Sequence, residues 1–291
     1  EDFGVVTLGY AVMRVGLVVQ WLRAAGADPE RRATAVRYAV GVSACMAGWG
    51  LRLLLPDGWR LPSLVAMAAL ELLVPVWAER GTTTTWHPHH IAERYGLFTL
   101  IVLGESVLAA TVALQSALDS GQALGDLLTI AAGGLLVVFS MWWIYFAQPA
   151  DRTMEAARRA FGITSNFSFV WGYGHVVVFA AAAAVGAGIA VAVDEATHHA
   201  ELSGRGAALS VAVPAALYVI TIWALHGGHR QARSRTAHAA SFPLAAAAVV
   251  VAAAATGSVL VVGLLMAALV ATFLLSGEPT PAGGSVVVDG G

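Results

Sequence analysis

Apolar runs of about twenty residues, enough for a helix to cross the ~30 Å hydrocarbon core of a bilayer, recur along the whole of this chain. Hydrocarbon offers no water to backbone N–H and C=O groups, so each run has to satisfy its own, as a helix does. The expected fold is therefore all-α, a polytopic transmembrane helical bundle. Composition agrees: 58% of the 291 residues are hydrophobic and 12% charged, where a soluble domain carries roughly a quarter charged.

Window hydropathy divides the chain into about nine spans. The first four run from about Phe3 to Leu22, Thr34 to Leu55, Leu61 to Ala78 and Ile91 to Leu118. The next three run from about Leu124 to Ala147, Ile163 to Val193 and Leu209 to Leu225. The last two, Phe242 to Ala255 and Val259 to Leu275, are parted only by Thr256-Gly257-Ser258. Pro56-Asp57-Gly58 and Asp119-Ser120-Gly121 are turn signatures, and Asp194 to Glu201 reads as an acidic loop. Residues 1–275 read as one helical domain, and the Pro/Gly-rich tail, 276–291, as disordered. The chain opens at Glu1 without a charged leader, so no signal peptide is expected.

All sixteen basic residues are Arg. They gather in alternate loops: Arg23, Arg31, Arg32 and Arg37; Arg80 and Arg94; Arg152, Arg158 and Arg159; Arg230, Arg233 and Arg235. The opposite loops hold only Arg52, Arg60 and Arg205, beside Asp119, Asp126, Asp194, Glu195 and Glu201. Positively charged loops stay in the cytoplasm, which puts residue 1 outside the inner (plasma) membrane and the tail inside. The clusters read as orientation signals, so no nucleic-acid partner is expected; membrane lipid is the expected partner, with a small or lipid-soluble substrate. Cys45 lies in an apolar run and reads as a small buried hydrophobe. No phosphate loop, nucleophile elbow or kinase signature is present, and the residues call for no cofactor.

Four ionisable residues fall well inside the spans: Arg14, Glu71, Glu105 and His175. Each such group costs about 2.5–3.5 kcal/mol on insertion scales, so it pairs with another or serves a function. Arg14 with Glu71 and Glu105 forms a candidate triad in one enclosed site. Desolvation and like-charge proximity would push one carboxylate toward its protonated form, the arrangement of a proton relay or general acid. The alternative is a buried ion pair that only fixes helix register. His175 is either a satisfied interior histidine or a third member of the site.

Ahead of Glu105 lies His87-Pro88-His89-His90, a polar turn, followed by Glu93 and Arg94 at the mouth of the span. His89 and Glu93 share a helix face, but with no Cys nearby the expectation is no metal. Glu93 complements the helix dipole and Arg94 snorkels to the interface. Trp142, Trp143, Tyr145 and Phe146 close the fifth span as an interfacial belt or as the wall of a pocket. Gly121/Gly125 and Gly133/Gly134 permit close helix approach.

The segment HIAERYGLFTLIVLGES resembles the hallmark of the low temperature requirement protein A family of bacterial membrane proteins. Tyr10 and Arg14, Glu71 and Pro75, the Trp142–Phe146 run, and Tyr173 with His175 fit further motifs of that family, over most of Phe3 to about Ala190. Val177 stands where members often have Pro, and an acidic, Phe-rich motif on earlier helices is missing. The resemblance implies a helical bundle with a polar site, not a reaction. On it, Glu105 and Glu71 are the candidate proton-handling or catalytic acids. Arg14, Tyr10, His175, Tyr173, Glu93, Arg94, Trp143 and Tyr145 are the candidate substrate contacts. One reading is a transporter or proton-coupled carrier, with Arg14 holding a substrate anion or a counter-charge. Another is a membrane-embedded enzyme, such as an isoprenoid cyclase or isomerase, with a protonated Glu as general acid and Trp and Tyr faces stabilising a cation. A third is a non-catalytic sensor or scaffold.

Overall fold

The structure, a computed structural model, describes residues 3–82, 84, 88–119, 124–147, 165–197, 201–225 and 236–275. Among them are nine α-helices and one short 3-10 turn. The tail after Leu275 and the Arg-rich 151–159 and 229–235 segments lie outside the described residues. The chain divides into two compact units, Glu1–Trp86 and His87–Gly291.

The first unit holds α1 (Phe3–Ala27), α2 (Arg32–Arg52), the 3-10 turn Asp57–Trp59 and α3 (Arg60–Ala78). α2 packs on both α1 and α3. It reaches α3 through small residues: a Cβ on Gly41 would lie 2.7 Å from Val74, and one on Gly48 would lie 2.7 Å from Met67. Side chains tie both ends. The Arg52 Nη2 donates to the Arg60 carbonyl at 2.9 Å, and the Tyr38 hydroxyl donates to Glu79 at 2.9 Å. Between α1 and α2, Asp28 Oδ1 accepts from the Glu30 and Arg31 amides at 3.1 and 3.2 Å, the local turn that Asp favours. The Arg31 guanidinium holds the exposed Asp28 carboxyl below the usual carboxylate range.

The second unit holds α4 (Pro88–Asp119), α5 (Leu124–Phe146), α6 (Ser165–Ala196), α7 (Gly204–Leu225), α8 (Thr236–Thr256) and α9 (Val259–Leu275). α7 is its centre, packed between α6 and α8, with Val211, Ala212, Ala215, Tyr218, Val219 and Ile222 buried. Three close approaches set the framework. Gly133 of α5 meets α9 backbone to backbone: a Cβ there would lie 2.5 Å from the Val259 oxygen, and Gly263 faces the Gly133 carbonyl in return. Gly186 of α6 receives Ser106 of α4, whose hydroxyl donates to the Ala182 carbonyl at 3.0 Å. Gly188 of α6 lies against the Ser210 carbonyl of α7. Pro214 has no N–H to give that carbonyl, so it is free to sit against a neighbour.

The break between α8 and α9 falls on Thr256-Gly257-Ser258. Gly257 takes φ +66°, a left-handed conformation open to glycine, and its N–H closes the last turn on the Ala253 carbonyl at 2.9 Å. Ser258 then accepts from the Val261 amide at 3.4 Å and starts α9.

Some boundaries differ from the sequence expectation. Pro88, His89 and His90 belong to α4 and not to a turn before it. Proline is pre-organised for a first helical position, which places the start there. α6 runs through Asp194 and Glu195 to Ala196, so part of the acidic loop is helix. α7 begins at Gly204 and not Leu209, and α8 begins at Thr236 and not Phe242.

Among the described residues six helical segments are long and apolar enough to cross a membrane: Phe3–Ala27, Asp57–Ala78, His89–Gln115, Leu124–Phe146, Phe169–Ala196 and Gly204–Leu225. Ala240–Thr256 and Val259–Leu275 are shorter apolar helices. Outward-facing side chains are apolar along their lengths, as Val5, Leu8 and Val12 on α1 and Leu244 and Val251 on α8 show. Contiguous apolar surface of this extent suits a bilayer and not water.

Candidate functional site

Two polar centres stand out, one in each unit. The first joins α1 and α3. Tyr10 and Arg14 are one helical turn apart, so their side chains leave the same face of α1. Both reach Glu71, eleven residues into α3. The Tyr10 hydroxyl donates to Glu71 Oε1 and Oε2 at 2.9 and 2.7 Å. Arg14 Nη2 donates to the same two oxygens, each at 3.1 Å, and to the Tyr10 oxygen. The guanidinium carbon also lies over the Tyr10 ring, 4.6 Å from its centroid, and Trp49 of α2 meets that ring edge-on at 6.3 Å.

Four donor–acceptor contacts thus converge on one carboxylate, as an embedded acid requires. Side-chain exposures of 24% for Arg14 and 20% for Glu71 leave the pair half-buried. Arg14 uses only Nη2 on these partners; Nε and Nη1 donate to no described residue. Pro75 has no N–H for the Glu71 carbonyl, so α3 is locally loosened at the acid.

The second centre is aromatic and lies where α4, α5 and α6 meet. His175 is fully buried. Its Nδ1 lies 2.8 Å from the Trp171 carbonyl, which can only accept, so Nδ1 carries a hydrogen. In the neutral ring Nε2 then accepts from the Tyr145 hydroxyl, 3.1 Å away. Around this pair stand Trp171, 4.0 Å from the imidazole centroid, Tyr95 at 4.8 Å and Phe179 at 5.8 Å. Thr99, also buried, donates to the Tyr95 carbonyl at 2.9 Å. The Trp171 indole N–H is buried and has no partner among the described residues.

The remaining candidates are spread out. Tyr173 is partly buried and stacks on Phe169 at 5.9 Å. Trp143 is partly buried, whereas Trp142 and Phe146 are exposed together on one side of α5. The Trp-Trp-aromatic run is therefore divided: Tyr145 turns inward to His175, and Trp142 and Phe146 turn outward. Glu93 lies exposed, held by His89 at 3.2 Å and His90 at 3.2 Å. Arg94 is exposed. Among the described residues no group of three His, Cys, Asp or Glu side chains is arranged to hold a metal, and His87 lies outside those residues. Glu105, midway along α4, is exposed on an apolar face with Phe98, Ile101 and Leu108. It belongs to the second unit, and Arg14 and Glu71 to the first.

Residues 1–275 match the family described as "Bacterial low temperature requirement A protein (LtrA)". The chain belongs to the LtrA family. The match extends past Ala190 to the end of α9, so the last helices are part of the family's body. Searches of curated proteins and of solved structures find no match. LtrA membership together with the six apolar helices makes this a multi-pass integral membrane protein.

The family motifs did not point to Tyr95, Trp171 and Phe179 as partners of His175. A partial signal was present: Trp171 and Phe179 lie four residues on either side of His175, which puts all three on one helix face.

Proposed function

We propose that this LtrA protein is a proton-coupled carrier of a small anionic substrate. In this reading Arg14 binds the anion, and Glu71 and Glu105 exchange protons. The observation that carries it is the economy of Arg14. One guanidinium nitrogen neutralises Glu71, and two more keep N–H groups for an incoming carboxylate or similar anion. A pair serving helix register alone would gain from using the whole fork, because unpaired donors in low dielectric are costly. Pro75 beside the acid fits a helix that yields during transport, since interrupted helices commonly line substrate paths. All nine helices would then traverse or enter the bilayer, with residue 1 outside and the tail in the cytoplasm.

The direct test is binding. Purified protein is heated with and without a panel of small carboxylates, and the unfolding midpoint is followed. A stabilising ligand should raise the midpoint in the wild type and in Glu105→Gln but not in Arg14→Gln. Equal stabilisation of Arg14→Gln by the same ligand would remove Arg14 from the site.

A further inference from the structure

In the second unit α4 and α5 touch each other, but the closest glycine contact of each is with another helix. α5 is held to α9 at Gly133 and Gly263, and α4 is held to α6 at Ser106 and Gly186. Between α4 and α5 this leaves a cleft of about 340 Å³, backed by Ile189 and Val193 of α6. It extends from Ser106 to Leu114 on α4 and from Leu128 to Val138 on α5, a length of roughly 12–15 Å at 1.5 Å rise per residue. Its rim residues Val107, Thr111, Leu128, Ala132 and Leu135 are exposed, so it opens sideways.

Shape and polarity together select an occupant. Spread over that length, the volume is that of a channel about 8 Å from wall to wall, against 10–12 Å for a helix with its side chains. A helix is too wide for it. An extended peptide is excluded on polarity, because its N–H and C=O groups would find no partner there. The hydroxyls of the lining are already used: Ser106 donates to the Val102 and Ala182 carbonyls, both at 3.0 Å, and Thr111 to the Val107 carbonyl at 2.8 Å. A slender, wholly apolar chain fits both limits.

We propose that this cleft holds one acyl chain of a membrane phospholipid, entering sideways from the bilayer. Such a chain fills the space that α4 and α5 leave open beside their own contacts. This site is separate from the Arg14 centre and stands or falls independently of the carrier reading.

The test uses the full chain in phosphatidylcholine vesicles doped with a phospholipid that carries a diazirine on one acyl chain. After photolysis, peptides are mapped by mass spectrometry. Adducts should concentrate severalfold on residues 107–114 and 128–138 relative to the exposed α8 face around Leu244 and Val251. Ala110→Phe, which fills the cleft, and Ala132→Phe, which blocks its rim, should each lower the cleft adducts severalfold and leave those on α8 unchanged. Ala132 is exposed, so its variant needs no repacking and keeps the test valid if Ala110→Phe fails to fold. Cleft adducts no denser than those on α8, or indifferent to both variants, would overturn the proposal.

Discussion

Arg14 and Glu71 should behave energetically as one unit. Glu71→Gln keeps the shape of the side chain and removes its charge, leaving the Arg14 guanidinium without a counter-ion. Breaking a fully buried pair costs about 3–5 kcal/mol, and an exposed pair is worth about 0.2–1 kcal/mol. With side chains 24% and 20% exposed, this pair lies between those limits, so a loss of about 2 kcal/mol is expected for either Glu71→Gln or Arg14→Met. For a protein of this size that lowers the unfolding midpoint by about 5 °C. The double variant removes both charges, and its loss should fall short of the sum by about 2 kcal/mol. The assay is a double-mutant cycle by thermal unfolding in mild detergent, with helix content followed by circular dichroism. Additive losses would show that the two charges do not depend on one another and would refute the reasoning.

Other consequences follow from single contacts. Gly133→Val drives a branched side chain into the Val259 backbone and should destabilise the second unit by at least about 2 kcal/mol, in the range of overpacked cores, read by the same unfolding assay. Gly257→Ala forces a Cβ into a left-handed backbone at φ +66° and should cost about 1–2 kcal/mol, with faster amide exchange at the adjoining ends of α8 and α9. Tyr145→Phe removes the hydroxyl from His175 Nε2 and should cost about 1–3 kcal/mol, most of which Tyr145→Phe with His175→Leu should recover. Asp28 is held below the usual carboxylate range by the Arg31 hydrogen bond. A depressed folded-state value means that its contribution is present above the unfolded value near 3.9 and is lost as pH falls through the lower, folded one. Amide exchange at Glu30 and Arg31 should therefore accelerate only below about pH 4, and Asp28→Asn should abolish that step.

The helices were legible because hydrocarbon imposes length and apolarity, and because punctuation is strong where it occurs. Pro56-Asp57-Gly58 and Thr256-Gly257-Ser258 both fall at breaks in the described structure. Helix ends were less legible where polar residues continue a helix past its apolar run, as Asp194 and Glu195 do on α6. Gly133 and Gly134 announced a close approach, but not that the partner would be α9, over a hundred residues later. In the polar centres, a partner for Arg14 among Glu71 and Glu105 was readable from the need of each embedded charge for another, but not that Tyr10 would share Glu71 or that Glu105 would lie exposed on an apolar face. The aromatic enclosure of His175 was not readable. It depends on how α4 and α5 are rotated about their own axes, and that is decided by packing at Gly186 and Gly133. The same rotation turns Tyr145 inward and Trp142 outward, a division that the residue types alone do not reveal.

The carrier reading is tested most directly by proton movement. Protein reconstituted in vesicles with a trapped pH-sensitive dye is exposed to an inward gradient of the carboxylate that stabilises it most. The lumen should acidify as the anion enters, and Arg14→Gln and Glu105→Gln should each abolish the change while still inserting and folding. Anion entry with no accompanying proton, or equal acidification by both variants, would contradict it.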